Sequence, residues 1–379
     1  MKIKDFNLSH FDRVFVGDNR EGITDSNYEI FKEALLAGKK DLSLEDKEVY
    51  DILVDSLNSD KKLPFELTPQ EINFLKNNDV EIWSEYLIFR YKLRVFPALK
   101  KTASFPVYLL IEPVSACNLR CVMCFQSDKT FTKKPFMGVM KLDTFKKIID
   151  EAHAGGTKAI TLASRGEPTL NKHLAEMLEY TKGKFLEVKV NTNATLLTDE
   201  LCHSILSSGV TELVFSIDSA EKELYENIRL KGKFDKVIEN IKNFHRIKEE
   251  HYSDTALTTT ASGVFFHEKQ DMKRYTDFFK KIVDNVAVVN IENRWNTYTN
   301  DITPEILSPC EYLWQRMYIW YDGVCNPCDV DYKSFLKVGN INDSKIQDVW
   351  LGERYQRIRE DHINKDRLKW MPCDRCGLK

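Results

Sequence analysis

From Pro106 onward the chain alternates short β-rich runs with amphipathic helical stretches, and this alternation constrains the fold more than any other feature. Strand-like runs fall at Val107–Ile111, Ala159–Ala163, Glu187–Asn191, Glu212–Ile217, Leu257–Phe265 and Val286–Ile291. Helical spacing fills the gaps near Leu142–His153, Lys172–Thr181, Asp199–Ser207, Phe234–Lys248 and Lys269–Val283. Six such units in series predict a parallel sheet, because parallel strands need crossover connections. The expected class is α/β, a partial (β/α)6 TIM-like barrel over residues 105–295. In barrels of this kind chemistry sits on the loops after the C-terminal ends of strands.

The loop after the first strand reads Glu112-Pro-Val-Ser-Ala-Cys-Asn-Leu-Arg-Cys-Val-Met-Cys-Phe125. Cys117, Cys121 and Cys124 have the spacing of a loop folded around one corner of a cubic iron–sulfur cluster. Three ligands leave one iron open, and an open coordination position favours substrate chemistry over electron storage. A zinc site, a disulfide with a spare thiol, or three unrelated buried cysteines are the alternatives at this point. Nine cysteines grouped at short spacings favour thiolate ligation in a reducing compartment.

Further polar motifs close later strands. Ser164-Arg-Gly-Glu-Pro-Thr-Leu170 follows the second, Asn191-Thr-Asn193 the third and Ser216-Ile-Asp218 the fourth, and Arg229 lies beyond in Tyr225-Glu-Asn-Ile-Arg-Leu-Lys-Gly232. The bland reading of each is a loop, capping or solvated residue. Taken in order with the cysteine loop, they resemble the radical S-adenosylmethionine (radical SAM) enzymes. The resemblance implies that Gly166 and Glu167 hold the SAM amino group, and that Asn191, Asn193, Ser216 and Asp218 contact the ribose and carboxylate. Arg229 suits the carboxylate through its guanidinium fork. Met123 stands where the family has an aromatic residue near adenine, and its soft sulfur packs on rings. Arg165 replaces the family's first glycine and is left as a candidate substrate contact.

Past residue 295 the alternation stops. Residues 296–379 carry five cysteines: Cys310, Cys325, Cys328, Cys373 and Cys376. Two Cys-x-x-Cys pairs fit a zinc ribbon poorly at this separation. Cys310, then Gly323, four residues and Cys328, followed by Leu336–Ile341 and Ile346–Trp350, resemble the SPASM and twitch extensions of radical SAM enzymes. That resemblance implies one auxiliary four-iron cluster on Cys310, Cys328, Cys373 and Cys376. Cys325 is then a spare thiol, an alternative ligand, or a candidate hydrogen-atom donor of the kind some epimerases use.

The expected cofactors are therefore two [4Fe-4S] clusters and SAM, with flavodoxin or ferredoxin as reductant. An auxiliary cluster makes net oxidation feasible. Residues 1–104 read as amphipathic helices near Tyr28–Leu36, Leu44–Leu57 and Pro69–Phe96, with starts at Asp25-Ser26 and Thr68-Pro69. Strands are not evident there, and peptide-modifying relatives often carry a winged helix with a short sheet. The expected substrate is accordingly a sugar, sugar nucleotide or other small polar metabolite, with epimerisation, peptide modification and a non-enzymatic electron carrier as alternatives. Glu292 and Arg294, on one face at the end of the sixth strand, are candidate substrate contacts. A net charge of −3 without a long basic block argues against nucleic acid. A charged N-terminus and no long apolar run point away from secretion and membranes, and a cytoplasmic location is expected.

Overall fold

The computed structural model describes residues 14–15, 31–33, 35–36, 42–60, 63–290 and 297–377. Asp25-Ser26, Glu292 and Arg294 lie outside the described residues, as do residues 28–30 and 34 of the Tyr28–Leu36 segment. Six parallel strands form the centre: β2 (Tyr108–Ile111), β4 (Ala159–Leu162), β5 (Glu187–Thr192), β6 (Glu212–Ser216), β8 (Thr258–Phe265) and β9 (Asn285–Asn290). Each lies within a residue or two of its predicted run. Their order, β9-β8-β6-β5-β4-β2, follows the chain from edge to edge, as successive βα units require. The crossover helices Leu142–Ala154, Leu174–Thr181, Asp199–Ser207, Phe234–His251 and Met272–Phe279 bury apolar faces against the sheet.

Two features extend this sheet beyond the prediction. At one edge β1 (Val14–Phe15) pairs antiparallel with β9, so the N-terminal region is not purely helical. At the other, β10 (Arg316–Ile319) pairs in parallel with β2, and β11 (Val324–Asn326) and β12 (Gly339–Asn340) continue antiparallel. The C-terminal region thus begins as a seventh parallel strand of the barrel sheet. One hydrophobic core is continuous across the join, since Met317, Ile319, Trp314 and Trp350 pack with Leu109, Ile111 and Ile148. This shared apolar surface joins the two regions through one core.

The N-terminal helices span Leu44–Asp60, Pro69–Lys76 and Val80–Leu99. Thr68 caps the second with a complete capping box to Glu71, and the Asn77–Asp79 break divides what the spacing predicts as one helix. These helices have their own core around Leu53, Tyr86, Leu87 and Phe96. Arg90, buried, pairs with Glu71 and with Glu187 at the start of β5, tying them to the barrel base. Among the described residues, no helix is long and apolar enough to cross a membrane.

Candidate functional site: a thiol triad above the barrel and a four-thiol set beside it

The cysteine loop leaves β2 at Glu112 and is anchored on three sides. Val114 bridges to Val139, and the Ser115 amide donates to the Gly138 carbonyl at 3.0 Å. A two-residue ladder pairs β3 (Arg120–Cys121) with β7 (Arg229–Leu230), setting Cys121 opposite Arg229. Below the loop, Gly166 lies so close to the backbone that a Cβ there would fall within 3.0 Å of the Val114 and Ala116 carbonyl oxygens. This is the close backbone approach for which glycine is suited. The Glu167 amide completes the contact by donating to the Ala116 carbonyl at 2.9 Å.

All nine cysteines are free thiols, which sets aside the disulfide alternative for this loop. Burial pushes Cys117 up to about 11, with further rises from the charges of Glu167 and Cys121, and Cys124 up to about 12, with further rises from Cys121 and Cys117. Cys121 is raised by the same burial, and Arg229 opposes the rise at all three. The three sulfurs are therefore electrostatic neighbours around one guanidinium. Backbone amides of Leu119 and Gln126 point at the Cys117 and Cys124 sulfurs, at 3.4 and 3.5 Å. Amide donors to sulfur are among the protein's levers on an iron–sulfur cluster. Among the described residues no group of three or more Cys, His, Asp or Glu side chains is drawn together as for a single metal ion. Three buried thiols with backbone amides aimed at two of the sulfurs fit an iron–sulfur cluster.

The strand-end residues gather at this same mouth. Glu167 is buried; burial raises its pKa, while Oε1 accepts from Thr192 Oγ1 (2.6 Å) and Thr169 Oγ1 (2.8 Å) and Oε2 from the Asn193 amide (2.7 Å). A carboxylate has about four acceptor sites, so Oε2 keeps capacity for a ligand ammonium. Asn193 Nδ2 donates to Asn118 Oδ1 at 2.9 Å and lies 3.9 Å from the Cys117 sulfur. Met123 packs with Leu119, Cys121 and Ile228 beside the triad, and Ser216 ends β6 opposite Ser262. Asn191, half-buried, lies in β5 two residues before Asn193, which follows the strand's end. Arg229 Nε donates to Asp218 Oδ2 at 2.6 Å, and Oδ1 of that aspartate accepts the Val264 amide at 2.8 Å. Sequence reading paired Arg229 with the ligand carboxylate; the structure commits one face of its fork to Asp218, and Asp218 to that pairing.

Arg165 occupies a different environment from the substrate contact its position suggested. It is almost fully buried, and its fork meets the Glu112 carboxylate through Nε (2.7 Å) and Nη2 (2.6 Å). Glu112, Asn118, Thr192 and Gln126 are functional neighbours that sequence reading missed. Only Glu112, a charge directly after an apolar strand, left a signal.

In the C-terminal region Cys310, Cys328 and the Cys373/Cys376 pair come together from three separate segments. Burial pushes Cys310 up to about 11 and raises Cys328 and Cys373 well above the usual thiol value, and Cys376 adds to the rise at all three. The Val330 amide donates to the Cys328 sulfur at 3.3 Å. Arg367, buried, gathers the Ser308, Cys373 and Cys376 carbonyls. His362 accepts the Cys310 amide through Nδ1 at 3.2 Å, leaving the hydrogen on Nε2 buried and without a protein partner. An orphaned donor beside four clustered thiols fits a bound inorganic group there. Cys325, by contrast, is wholly buried in the apolar core opposite Ile319, and burial pushes its thiol up to about 12. A hydrogen-atom donor must reach substrate, which this placement denies. A cavity of about 370 Å³ opens at the opposite, N-terminal ends of the strands and touches none of these residues.

Residues 111–278 match the family model of the radical SAM superfamily, and residues 310–377 match SPASM, an iron-sulfur cluster-binding domain. A tungsten-containing aldehyde ferredoxin oxidoreductase cofactor-modifying protein of Pyrococcus furiosus is 25% identical, over 72% of this chain and 87% of its own. A cysteine-type anaerobic sulfatase-maturating enzyme of Clostridium novyi is 24% identical over the same shares. Among solved structures, Streptococcus suis SuiB bound to precursor peptide SuiA shares the fold at TM-score 0.55 and 14% identity, covering 92% of each chain. Native anSMEcpe with bound AdoMet does so at TM-score 0.53 and 16% identity, over 66% of this chain and 82% of its own. The two matched domains imply SAM and two [4Fe-4S] clusters as cofactors. With both domains matched in order on the expected barrel, the chain belongs to the radical SAM superfamily as an enzyme with a C-terminal SPASM domain.

Proposed function

We propose that this enzyme modifies a peptide, or a peptide-like cofactor precursor, by hydrogen-atom abstraction followed by net oxidation. The carrying observation is that two relatives aligned over 72% of the chain are named for modifying a cofactor and for maturing a sulfatase. A mycofactocin maturase of Mycolicibacterium smegmatis, 28% identical over 36% of the chain, points the same way. The preference for a sugar substrate rested on the lack of a short N-terminal sheet, and the relatives weigh against it. Peptide modification, the alternative, has the better support.

In this reading Cys117, Cys121 and Cys124 hold the SAM-binding cluster, and Cys310, Cys328, Cys373 and Cys376 the auxiliary one. When bound, these groups supply the electron that cleaves SAM to methionine and a 5′-deoxyadenosyl radical, and an acceptor for the electron of the oxidised substrate. Glu167 receives the SAM ammonium on Oε2, and Asn193 and Ser216 line the sugar side. The Asp218–Arg229 pair holds the cysteine loop and keeps a positive charge beside the triad. Met123 offers an apolar face for adenine. Four thiols close the auxiliary site to substrate, and Cys325 is sealed in the core, so the chain favours oxidation over return of a hydrogen atom from a thiol.

The test is 5′-deoxyadenosine formation by the reconstituted, reduced enzyme against matched panels of peptides and sugar alcohols. A peptide should raise turnover above the substrate-free level and lose two hydrogens by mass. Stimulation by sugars alone would return the assignment to a metabolite dehydrogenase.

A further inference from the structure

Where the family's turn begins with glycine, this chain places a buried arginine, and its surroundings give that change a role. The Arg165 fork grips Glu112, at the end of β2, while Nη1 donates to the Tyr332 carbonyl at 2.9 Å. Its guanidinium lies 4.2 Å from the centroid of the Trp320 ring. Glu112 Oε2 in turn accepts the Tyr321 amide at 3.1 Å. Trp320 and Tyr321 belong to the turn between β10 and β11, and Tyr332 lies four residues past Cys328, so each of these contacts beyond the fork itself crosses to the C-terminal region.

On its other side Arg165 belongs to the SAM turn. Its carbonyl accepts from Gln126 Nε2 at 2.6 Å, and the same amide donates to the Ser115 carbonyl at 2.7 Å. Gly166, the next residue, is wedged under the cysteine loop. One ion pair therefore touches both regions that carry cluster thiols. Neither charge can be left alone, because a buried ion without its partner costs far more than the pair contributes. A bidentate fork also fixes orientation, which a point charge such as lysine does not.

We propose that the Glu112–Arg165 pair is a positioning strut that sets the distance and orientation of the SAM-binding region relative to the auxiliary-cluster region. The proposal rests on the cluster assignment above, and iron content separates its failure from failure of that assignment. The strut acts through the loops it holds and touches no reacting atom.

Arg165→Lys and Glu112→Gln keep side-chain size but break the fork. In the reconstituted, reduced holoenzyme both variants should retain wild-type iron and the SAM-induced change in the EPR signal. The magnetic interaction between the two clusters should weaken or broaden about twofold, and hydrogen exchange at the Tyr321 amide should quicken about tenfold, as expected when one buried hydrogen bond is loosened. The double variant Glu112→Met/Arg165→Met removes both charges, which restores stability where a pair serves only as core. Recovery of the melting temperature without recovery of the intercluster interaction supports the strut. Unchanged interaction and Tyr321 exchange in both single variants would overturn it, as would full recovery of the interaction in the double variant. Loss of iron from both clusters in both single variants also counts against it, since the pair would then be needed to fold each region.

Discussion

Replacing Gly166 with alanine adds one carbon where the structure has no room. The new Cβ would sit well inside 3.0 Å of two backbone carbonyl oxygens, while ordinary contact begins at 3.4 Å. Neither obstacle is the flexible end of a side chain, so relief needs the SAM turn and the cysteine loop to part by roughly 1 Å, and a misplacement of that size can cost about a hundredfold in rate. Overpacking of this kind costs about 1–3 kcal/mol, and loss of the Glu167 amide to Ala116 carbonyl bond about 1 kcal/mol more. The continuous core elsewhere absorbs that loss, so the protein should fold and take up iron. Reductive SAM cleavage, followed as 5′-deoxyadenosine by chromatography, should fall by about two orders of magnitude. Cleavage at the wild-type rate with full iron would refute the argument that this close approach aligns the site.

Other outcomes follow from the same geometry. Fully reconstituted protein should hold about eight irons from two cubanes, and a triple alanine variant at Cys117, Cys121 and Cys124 should keep about half; zinc without iron in the C-terminal region would contradict the auxiliary set. Cys325→Ala should cost about 1 kcal/mol, as small buried truncations do, and leave turnover and the absence of solvent deuterium at the abstracted carbon unchanged. The thiols of Cys117 and Cys124 are pushed up by burial to about 11 and about 12, so the fold favours their uncharged form. Metal-free protein should therefore keep its full urea midpoint below about pH 9, the ordinary thiol value, and lose stability as pH rises through 11, whereas loaded protein should lose less.

How far the sequence reveals this molecule depends on the range of the interaction concerned. The six central strands and their helices were legible because period and β-branched composition are local signals. The Asn77–Asp79 break was also local, and a run of two asparagines and an aspartate is a stop-and-restart signal that a single long helix overlooks. β10 was not legible, because Arg316–Ile319 is four residues long and joins its partner strand from two hundred residues away. The ladder of Cys121 with Arg229 depends on closure of two loops over the barrel mouth, and no single segment encodes it. Cysteine spacing pointed to the thiol triad and the family resemblance to the four-thiol set, but both left Cys325 undecided between core and site until its neighbour Ile319 was known. The pairing of Arg165 was not legible for the same reason: its partner Glu112 is fifty-three positions away.

Reductive cleavage of SAM is the most direct test of the central claim. Anaerobically reconstituted protein, reduced and given SAM without any substrate, should release 5′-deoxyadenosine and methionine in equal amounts, and Cys121→Ala should release neither while retaining the auxiliary iron. Protein with both clusters loaded and reduced that leaves SAM intact, or a Cys121→Ala variant that cleaves it fully, would contradict the account.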